Sequence, residues 1–284
     1  MVRKCAHLFG DSTDGGSATD KNAWTGLPVI FDEVFTGFYR LGRLSAASFL
    51  GVHPDISVHA KLLTGGLLPL AVTLASKSIF EAFLGDKKRD GLLHGHSYTA
   101  YPVGCQVAVE SLDTMKNIAA RAKSKLGKGL NGWGDDEGPP ASGPASGSMP
   151  TIWSVWSREF VEYLSKQEGV HGAWALGTVL AIRLETETGE PGYGSDAAVE
   201  IQEALTDDSI TALFEKLGDV GKEELDNDGS WTGAVHSRAL GDVFYLMASL
   251  TTEVGDLEPV EDIVRMFFRG EFGRRWAVAR IPSG

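Results

Sequence analysis

The stretch that decides the fold is residues 27–66, LPVIFDEVFTGFYRLGRLSAASFLGVHPDISVHAKLLTGG. Residues 28–31 are apolar and lead into Asp32, which predicts a buried strand that presents an acidic side chain at its carboxyl end. A loop rich in glycine and arginine follows. Residues 54–58 (PDISV) predict a second short strand, and Lys61 comes directly after it. The pattern therefore places a carboxylate and a lysine at the ends of two strands.

Asp32 and Lys61 are separated by 29 positions, and their chemistry fits pyridoxal phosphate (PLP). This cofactor needs a lysine for a Schiff base and an acid beside its pyridine nitrogen. Other roles stay open on these residues alone. Asp32 and Glu33 could bind a divalent metal, although nothing nearby supplies the remaining ligands. Asp32 could also form a structural salt bridge, and Lys61 could be a surface lysine that is a poor nucleophile at neutral pH.

The segment resembles the signature of class III PLP-dependent aminotransferases, D-E-x-x-x-G-x-x-R-x-G followed by K-x-x-x-G-G. Residues 31–43 (FDEVFTGFYRLGR), 53–66 (HPDISVHAKLLTGG) and 92–105 (LLHGHSYTAYPVGC) are similar to one branch of that family. That branch forms 7,8-diaminononanoate in biotin synthesis, and the similarity is to the version fused to dethiobiotin synthetase in fungi and plants. The resemblance implies an α/β fold, the PLP-dependent transferase fold type I. It implies a partial large domain with a mostly parallel sheet and an α+β C-terminal small domain.

The resemblance also assigns roles to four residues. Asp32 would contact the pyridinium nitrogen, and Lys61 would carry the cofactor and move the substrate proton. Ser97, in an H-G-x-[ST]-[FY] loop, would reach the cofactor phosphate of the partner subunit, which implies a homodimer with shared active sites. Arg238 would pair with the substrate carboxylate, for which guanidinium is well suited because it presents two parallel donors.

Two of these segments have alternative interpretations. The histidines of the Ser97 loop, His94 and His96, could be a metal pair, but a third ligand at suitable spacing is absent. Arg238 could instead form a salt bridge at the surface or between strands. The loop also departs from the family at Ala100-Tyr101, where many members have Gly-Asn.

The function implied is an aminotransferase that converts 8-amino-7-oxononanoate to 7,8-diaminononanoate with S-adenosylmethionine as amino donor. Lys61 lies in the first quarter of this chain, whereas the family carries its lysine past the middle. We therefore expect that roughly the N-terminal half of the aminotransferase domain is absent. A truncated, inactive fragment or a split subunit is the alternative. Another class III transaminase, acting on ornithine or an ω-amino acid, fits the motifs less well.

The sequence predicts four regions. Residues 1–26 form a flexible N-terminus, and residues 27–131 form the partial PLP-binding large domain. Residues 132–150 are rich in glycine, proline and serine and form a linker. Residues 151–284 form the small domain.

The sequence also predicts individual elements. Apolar periodicity indicates helices over residues 76–83, 104–126 and 260–269, with Val109 on the packed face of the second helix. Two short strands, residues 170–176 and 178–183, are predicted on either side of Gly177.

Composition excludes several classes of protein. Hydrophobic residues make up 43% and charged residues 23%, as in soluble globular proteins. The formal charge of -12 argues against nucleic-acid or anionic-membrane partners, and no apolar run approaches membrane-spanning length. Two cysteines indicate a reduced compartment. The fused relatives imply a mitochondrial location, but the N-terminus shows no clear targeting peptide, so a cytoplasmic location is the alternative.

Overall fold

A computed structural model of the chain describes residues 27–126, 154–186, 192–205 and 235–269. The chain divides into two compact units, residues 1–124 with 138–150 and residues 125–137 with 151–284. The predicted flexible terminus and the predicted linker lie outside the described residues. Within the described ranges, no helix combines the length and the apolar character that crossing a membrane requires.

The first unit is built on a three-stranded sheet in the order β1-β2-β3. Its strands are β1 (Ile30–Asp32), β2 (Ile56–His59) and β3 (Val72–Ala75). Strand β1 runs parallel to β2, and β3 runs antiparallel to β2, so the sheet is mixed. Both strands that the motif predicted are present at the expected positions.

Strand β1 is not buried, and that prediction is wrong. Ile30 is 59% exposed and Asp32 is exposed, whereas Val29, just before the strand, is buried. The physical reason is that β1 is an edge strand, which pairs on one side only. The carboxylate of Asp55 accepts a hydrogen bond of 2.8 Å from the Val29 amide, and this bond ties the start of β1 to β2.

The described residues of the first unit form the helices α1 (Ala47–Leu50), α2 (Lys77–Glu81) and α3 (Pro102–Leu126). Helix α2 was predicted to reach residue 83 and is shorter. Helix α3 confirms the predicted long helix, and Pro102 opens it because a first-turn position needs no amide donor. Its packed face includes Ala108 and Met115. Val109 was predicted on that face but is 51% exposed.

The second unit contains a four-stranded antiparallel sheet in the order β4-β5-β7-β6. The predicted strands on either side of Gly177 are confirmed, and this glycine turns the chain with φ 58°. The strands are β4 (Val170–Leu176), β5 (Val179–Leu184), β6 (Arg238–Leu240) and β7 (Val243–Met247).

One hydrophobic core fills the second unit. Strand β5 buries Leu180, Ala181 and Ile182, and β7 alternates, with Phe244 and Leu246 buried. Helices pack against this core: α4 (Arg158–Leu164), α5 (Ala197–Ala204) and α6 (Glu258–Arg269). Helix α6 was predicted from residue 260 and begins one half-turn earlier.

A buried carboxylate joins α4 to α6. Glu261 of α6 is 7% exposed and accepts hydrogen bonds from the amide of Ser157 at 2.7 Å and from its hydroxyl at 2.6 Å. The Ser157 hydroxyl also accepts from the amide of Phe160, at 3.2 Å, and thereby caps α4. Glu261 therefore satisfies polar groups at a helix end that would otherwise lie buried without partners.

We predict that Glu261→Ala lowers the free energy of unfolding by about 1–3 kcal/mol, because it leaves the half-buried amide and hydroxyl of Ser157 without their acceptor. Urea titration followed by tryptophan fluorescence measures the change. The matched control is Glu258→Ala, an exposed acid in the first turn of the same helix, which should cost less than about 1 kcal/mol. Equal losses in the two variants would contradict the assigned role of Glu261.

Candidate functional site

The carboxyl ends of β1 and β2 bring Asp32 and Lys61 to one edge of the sheet. Asp32 is the last residue of β1 and is in register with Val58 of β2. The Glu33 amide continues this ladder with a 2.9 Å hydrogen bond to the Val58 carbonyl. Lys61 follows β2 after Ala60. Because the two strands are parallel, the acid and the lysine lie at the same edge of the sheet. The sequence predicted each of them at a strand end.

Both side chains are accessible at this edge. Asp32 is exposed, and its Oδ1 accepts a hydrogen bond of 3.0 Å from the Val34 amide. Lys61 is also exposed. Within the described part of the chain, no ion pair joins Asp32 to Lys61. The two groups are therefore available to a molecule that carries complementary charge.

A short turn holds the backbone of Lys61. Residues Lys61–Leu63 form one turn of 3₁₀ helix, and Leu63 is 3% exposed. The hydroxyl of Ser111, on α3, donates a hydrogen bond of 2.9 Å to the Leu62 carbonyl. Thr64 adds a 2.6 Å bond from its hydroxyl to the Leu68 carbonyl. The turn is therefore anchored by a buried leucine and by a helix distant in sequence.

Backbone strain is concentrated in the three stretches that carry the family resemblance. Four described non-glycine residues have positive φ angles: Phe38 (56°), Tyr39 (67°), Lys61 (49°) and Ala100 (57°). Each costs about 1 kcal/mol or more relative to the usual right-handed conformation. Such strain persists where the surrounding structure enforces it, and it is typical of ligand and active sites.

The loop after β1 is packed against the last residue of β2. His59 is 6% exposed, its ring lies 5.0 Å from that of Phe38, and its Nε2 is 3.1 Å from the Ser57 hydroxyl. A side chain at Gly37 would place Cβ 2.9 Å from His59 Nδ1 and 2.9 Å from the Glu33 carbonyl. Only glycine allows this approach, which explains the glycine of the motif in physical terms.

Glu33 has a structural role. It is 2% exposed and accepts hydrogen bonds from the Ser45 hydroxyl at 2.5 Å and the Ala46 amide at 2.7 Å. Its carboxylate therefore points into the loop and closes it. The described residues contain no group of three or more histidine, cysteine, aspartate or glutamate side chains that could hold a metal ion.

Phe35 is a site residue that the sequence analysis did not single out. Its ring lies 5.9 Å from the Lys61 Nζ and 4.8 Å from the Arg40 guanidinium carbon. Arg40 also donates from Nε to the Phe35 carbonyl at 2.7 Å. The sequence carries no local signal for this role, because the contact joins residues that are 26 positions apart. In the same loop, burial desolvates the charge of the Arg43 guanidinium and thereby lowers its pKa.

Ser97 lies in an exposed turn of the first unit. Its neighbouring histidines make local hydrogen bonds: His94 Nδ1 to the Leu92 carbonyl at 2.9 Å, and His96 Nδ1 from the Tyr98 amide at 3.1 Å. These hydrogen bonds join residues of the same loop, and the Ser97 side chain remains exposed. The predicted contact of Ser97 with a partner subunit's cofactor stays a prediction.

Arg238 belongs to the second unit and begins β6, where it is in register with Tyr245 of β7. Its side chain is exposed, and no ion pair involves it among the described residues of this unit. Its neighbour Ser237 is 4% exposed, and the Ser237 carbonyl accepts a 3.2 Å hydrogen bond from Gln202. The guanidinium is thus held on a fixed strand and faces solvent. Its predicted role toward a substrate carboxylate stays a prediction.

The donor set at the sheet edge fits PLP. Asp32 would supply a fixed anion for a pyridinium nitrogen, and Lys61 would supply an amine for the aldehyde. The parallel ladder between β1 and β2 determines the positions of both strand ends.

Comparison with known proteins agrees with this chemistry. A family model described as "Aminotransferase class-III" matches residues 23–134. The bifunctional dethiobiotin synthetase/adenosylmethionine-8-amino-7-oxononanoate aminotransferase of Emericella nidulans is 46% identical over 267 residues, covering 93% of this chain and 30% of that protein. The chain belongs to the class III aminotransferases. Members of this family use PLP as cofactor.

Two further relatives of this class III aminotransferase chain are informative. The mitochondrial bifunctional dethiobiotin synthetase/7,8-diamino-pelargonic acid aminotransferase of Oryza sativa subsp. japonica is 38% identical, covering 80% of this chain and 22% of that protein. The solved structure of adenosylmethionine-8-amino-7-oxononanoate aminotransferase from Methanocaldococcus jannaschii has a TM-score of 0.57 and 25% identity, covering 84% of this chain and 45% of that one. The expected fold class is therefore confirmed. This chain spans less than half the length of these relatives.

We predict that Gly37→Ala destabilises the first unit by about 1–3 kcal/mol, because the new methyl group meets the Glu33 carbonyl and the His59 ring. Hydrogen–deuterium exchange of peptides from residues 27–66 measures the loss. Gly95→Ala is the matched control, since its nearest atom, the Thr99 hydroxyl oxygen, lies at an ordinary 3.7 Å. Unchanged exchange in Gly37→Ala would show that the loop does not depend on this close approach.

Proposed function

We propose that this chain takes part in PLP-dependent transamination of 8-amino-7-oxononanoate to 7,8-diaminononanoate, with S-adenosylmethionine as amino donor. One observation carries the proposal: the parallel β1–β2 ladder delivers Asp32 and Lys61 to one accessible edge. The substrate and the donor are inferred from the printed names of the fungal and archaeal relatives. The strained turn at Lys61 supports a site built for chemistry.

The two residues at the sheet edge divide the work. PLP, when bound, supplies an electron sink for the electrons of a broken C–H bond. The Asp32 carboxylate holds a negative charge where it keeps a ring nitrogen protonated. Lys61 would hold the cofactor through its Nζ, and the free amine would act as the general base that takes the proton from the substrate carbon. Neither role can be exchanged, because one needs an anion and the other an amine.

We propose that a second copy of the chain completes the site. Lys61 and Asp32 are exposed in a single chain, whereas this chemistry requires water to be excluded. Ser97 lies in an exposed turn that a neighbouring subunit could receive, and its hydroxyl would donate to the cofactor phosphate there. A homodimer with shared active sites satisfies both requirements.

Arg238 is proposed to bind the carboxylate of the substrate. Its guanidinium is exposed, rests on a paired strand and has no acidic partner among the described residues. Two parallel N–H donors of a guanidinium can pair with the two oxygens of a carboxylate, and this pairing provides both electrostatic attraction and a defined orientation. The 8-amino-7-oxononanoate molecule carries one carboxylate, which this arginine would recognise.

We further propose a mitochondrial location. The support is the word "mitochondrial" in the printed names of the rice and Arabidopsis thaliana relatives.

Incubation with PLP followed by borohydride reduction tests the cofactor role. We expect the mass label on the peptide that carries Lys61, and we expect Lys61→Ala to lose it. Lys77→Ala, which removes an exposed lysine paired with Glu81, should keep it. Label spread over several lysines in the unsubstituted chain would contradict the proposal.

Calorimetric titration with 8-amino-7-oxononanoate tests the substrate role. We predict that Arg238→Ala weakens binding by about ten- to a hundredfold, since hydrogen bonds to charged groups contribute about 1.5–3 kcal/mol. Labelling of Lys61 should be unaffected. The control is Arg158→Ala, which removes an exposed i,i+4 ion pair with Glu162 in the same unit. Similar affinities in both variants would exclude Arg238 from the carboxylate site.

A further inference from the structure

The ring of Phe35 is a contact point for two cations. The Lys61 Nζ lies 5.9 Å from its centroid and the Arg40 guanidinium carbon 4.8 Å. Both distances fall within the range, up to about 6 Å, over which a cation is attracted by the quadrupole of an aromatic ring. The contact with Lys61 is made by the ammonium and not by the neutral amine, because only the ammonium carries the charge.

The ring is held more firmly than the lysine. Phe35 is half-buried, and its carbonyl accepts the 2.7 Å hydrogen bond from Arg40 Nε. Arg40 itself is 6% exposed. The Lys61 side chain, in contrast, is exposed and extends from a strained turn. The ring is therefore the more enclosed partner of the contact, and the lysine side chain is the more accessible one.

We propose that Phe35 is a positioning residue whose ring receives the Lys61 ammonium whenever this lysine carries a proton. The inference rests on the proposed function. There, the Lys61 amine would take a proton from the substrate carbon, and bound PLP would accept the electron pair of the broken C–H bond. The resulting ammonium lies against the Phe35 ring until it returns the proton to carbon. The amine is then restored, so that protons and electrons balance.

Reductive methylation of the cofactor-free protein tests the contact directly. Isotope-labelled formaldehyde and cyanoborohydride convert each lysine to a dimethylamine that NMR detects. We expect the dimethyl signal of Lys61 to show a ring-current shift that disappears in Phe35→Leu. In that variant Lys61 should also react about two- to fivefold faster at neutral pH, because an attraction confined to the ammonium is lost. Phe35→Tyr, which keeps a ring, should behave like the unsubstituted chain.

The pH dependence separates this role from a purely structural one. The attraction acts only on the charged form, so the difference in rate between Phe35→Leu and the unsubstituted chain should disappear at a pH high enough to make the lysine neutral. A structural defect would persist at every pH. Lys77 is the internal reference in each sample, and Phe80→Leu is the matched control because this phenylalanine is 64% exposed.

Two results would overturn the inference. A dimethyl signal of Lys61 without a ring-current shift in the unsubstituted protein would exclude the contact. This measurement does not depend on the folding of any variant. An unchanged methylation rate of Lys61 in Phe35→Leu at neutral pH would exclude the attraction between the ring and the ammonium. Separately, failure of PLP to label Lys61 would overturn the proposed function and, with it, the catalytic use of the ring, even where the ring-current shift is found.

Discussion

The parallel hydrogen-bonded ladder between β1 and β2 is the constraint on which the site depends. It has three registered pairs, and the Glu33 amide extends it to the residue after Asp32. A ladder of this kind fixes both strand ends at once. A slip of one residue would turn Asp32 to the opposite face of the sheet and separate it from Lys61. The proposed chemistry therefore depends more on the register of the β1–β2 ladder than on any single contact of the surrounding loops.

The surrounding contacts serve to maintain that register and the strained turn beyond it. Gly37 lets the loop after β1 lie against His59, the final residue of β2, and Glu33 closes the same loop from within. On the other side, Ser111 of α3 holds the Lys61 turn through the Leu62 carbonyl. These contacts explain how a lysine can persist at a positive φ angle, which costs about 1 kcal/mol or more on its own. The strain is offset by packing over a wide span of the chain.

The sequence predicted the parts of the fold that short-range patterns control. The two motif strands, the long helix α3 and the hairpin around Gly177 follow from apolar runs and from glycine placement. It did not predict that β1 would be exposed, because exposure depends on which strands lie beside it. Nor did it identify Phe35, whose contact with Lys61 joins two loops 26 positions apart. Arg238 could be chosen only by resemblance, since an exposed arginine on a strand carries no local signal of its role.

The affinity of the chain for PLP with and without the Asp32 carboxylate tests the central claim most directly. The account predicts that Asp32→Asn weakens PLP binding by about tenfold or more, because a hydrogen bond to a charged group contributes about 1.5–3 kcal/mol. The absorbance of the bound cofactor should change as its ring nitrogen loses the anion beside it. Asp113→Asn, which removes an exposed surface acid in the same unit, should leave both quantities unchanged. Equal affinity and an unaltered spectrum in Asp32→Asn would show that the β1 end does not face the cofactor ring.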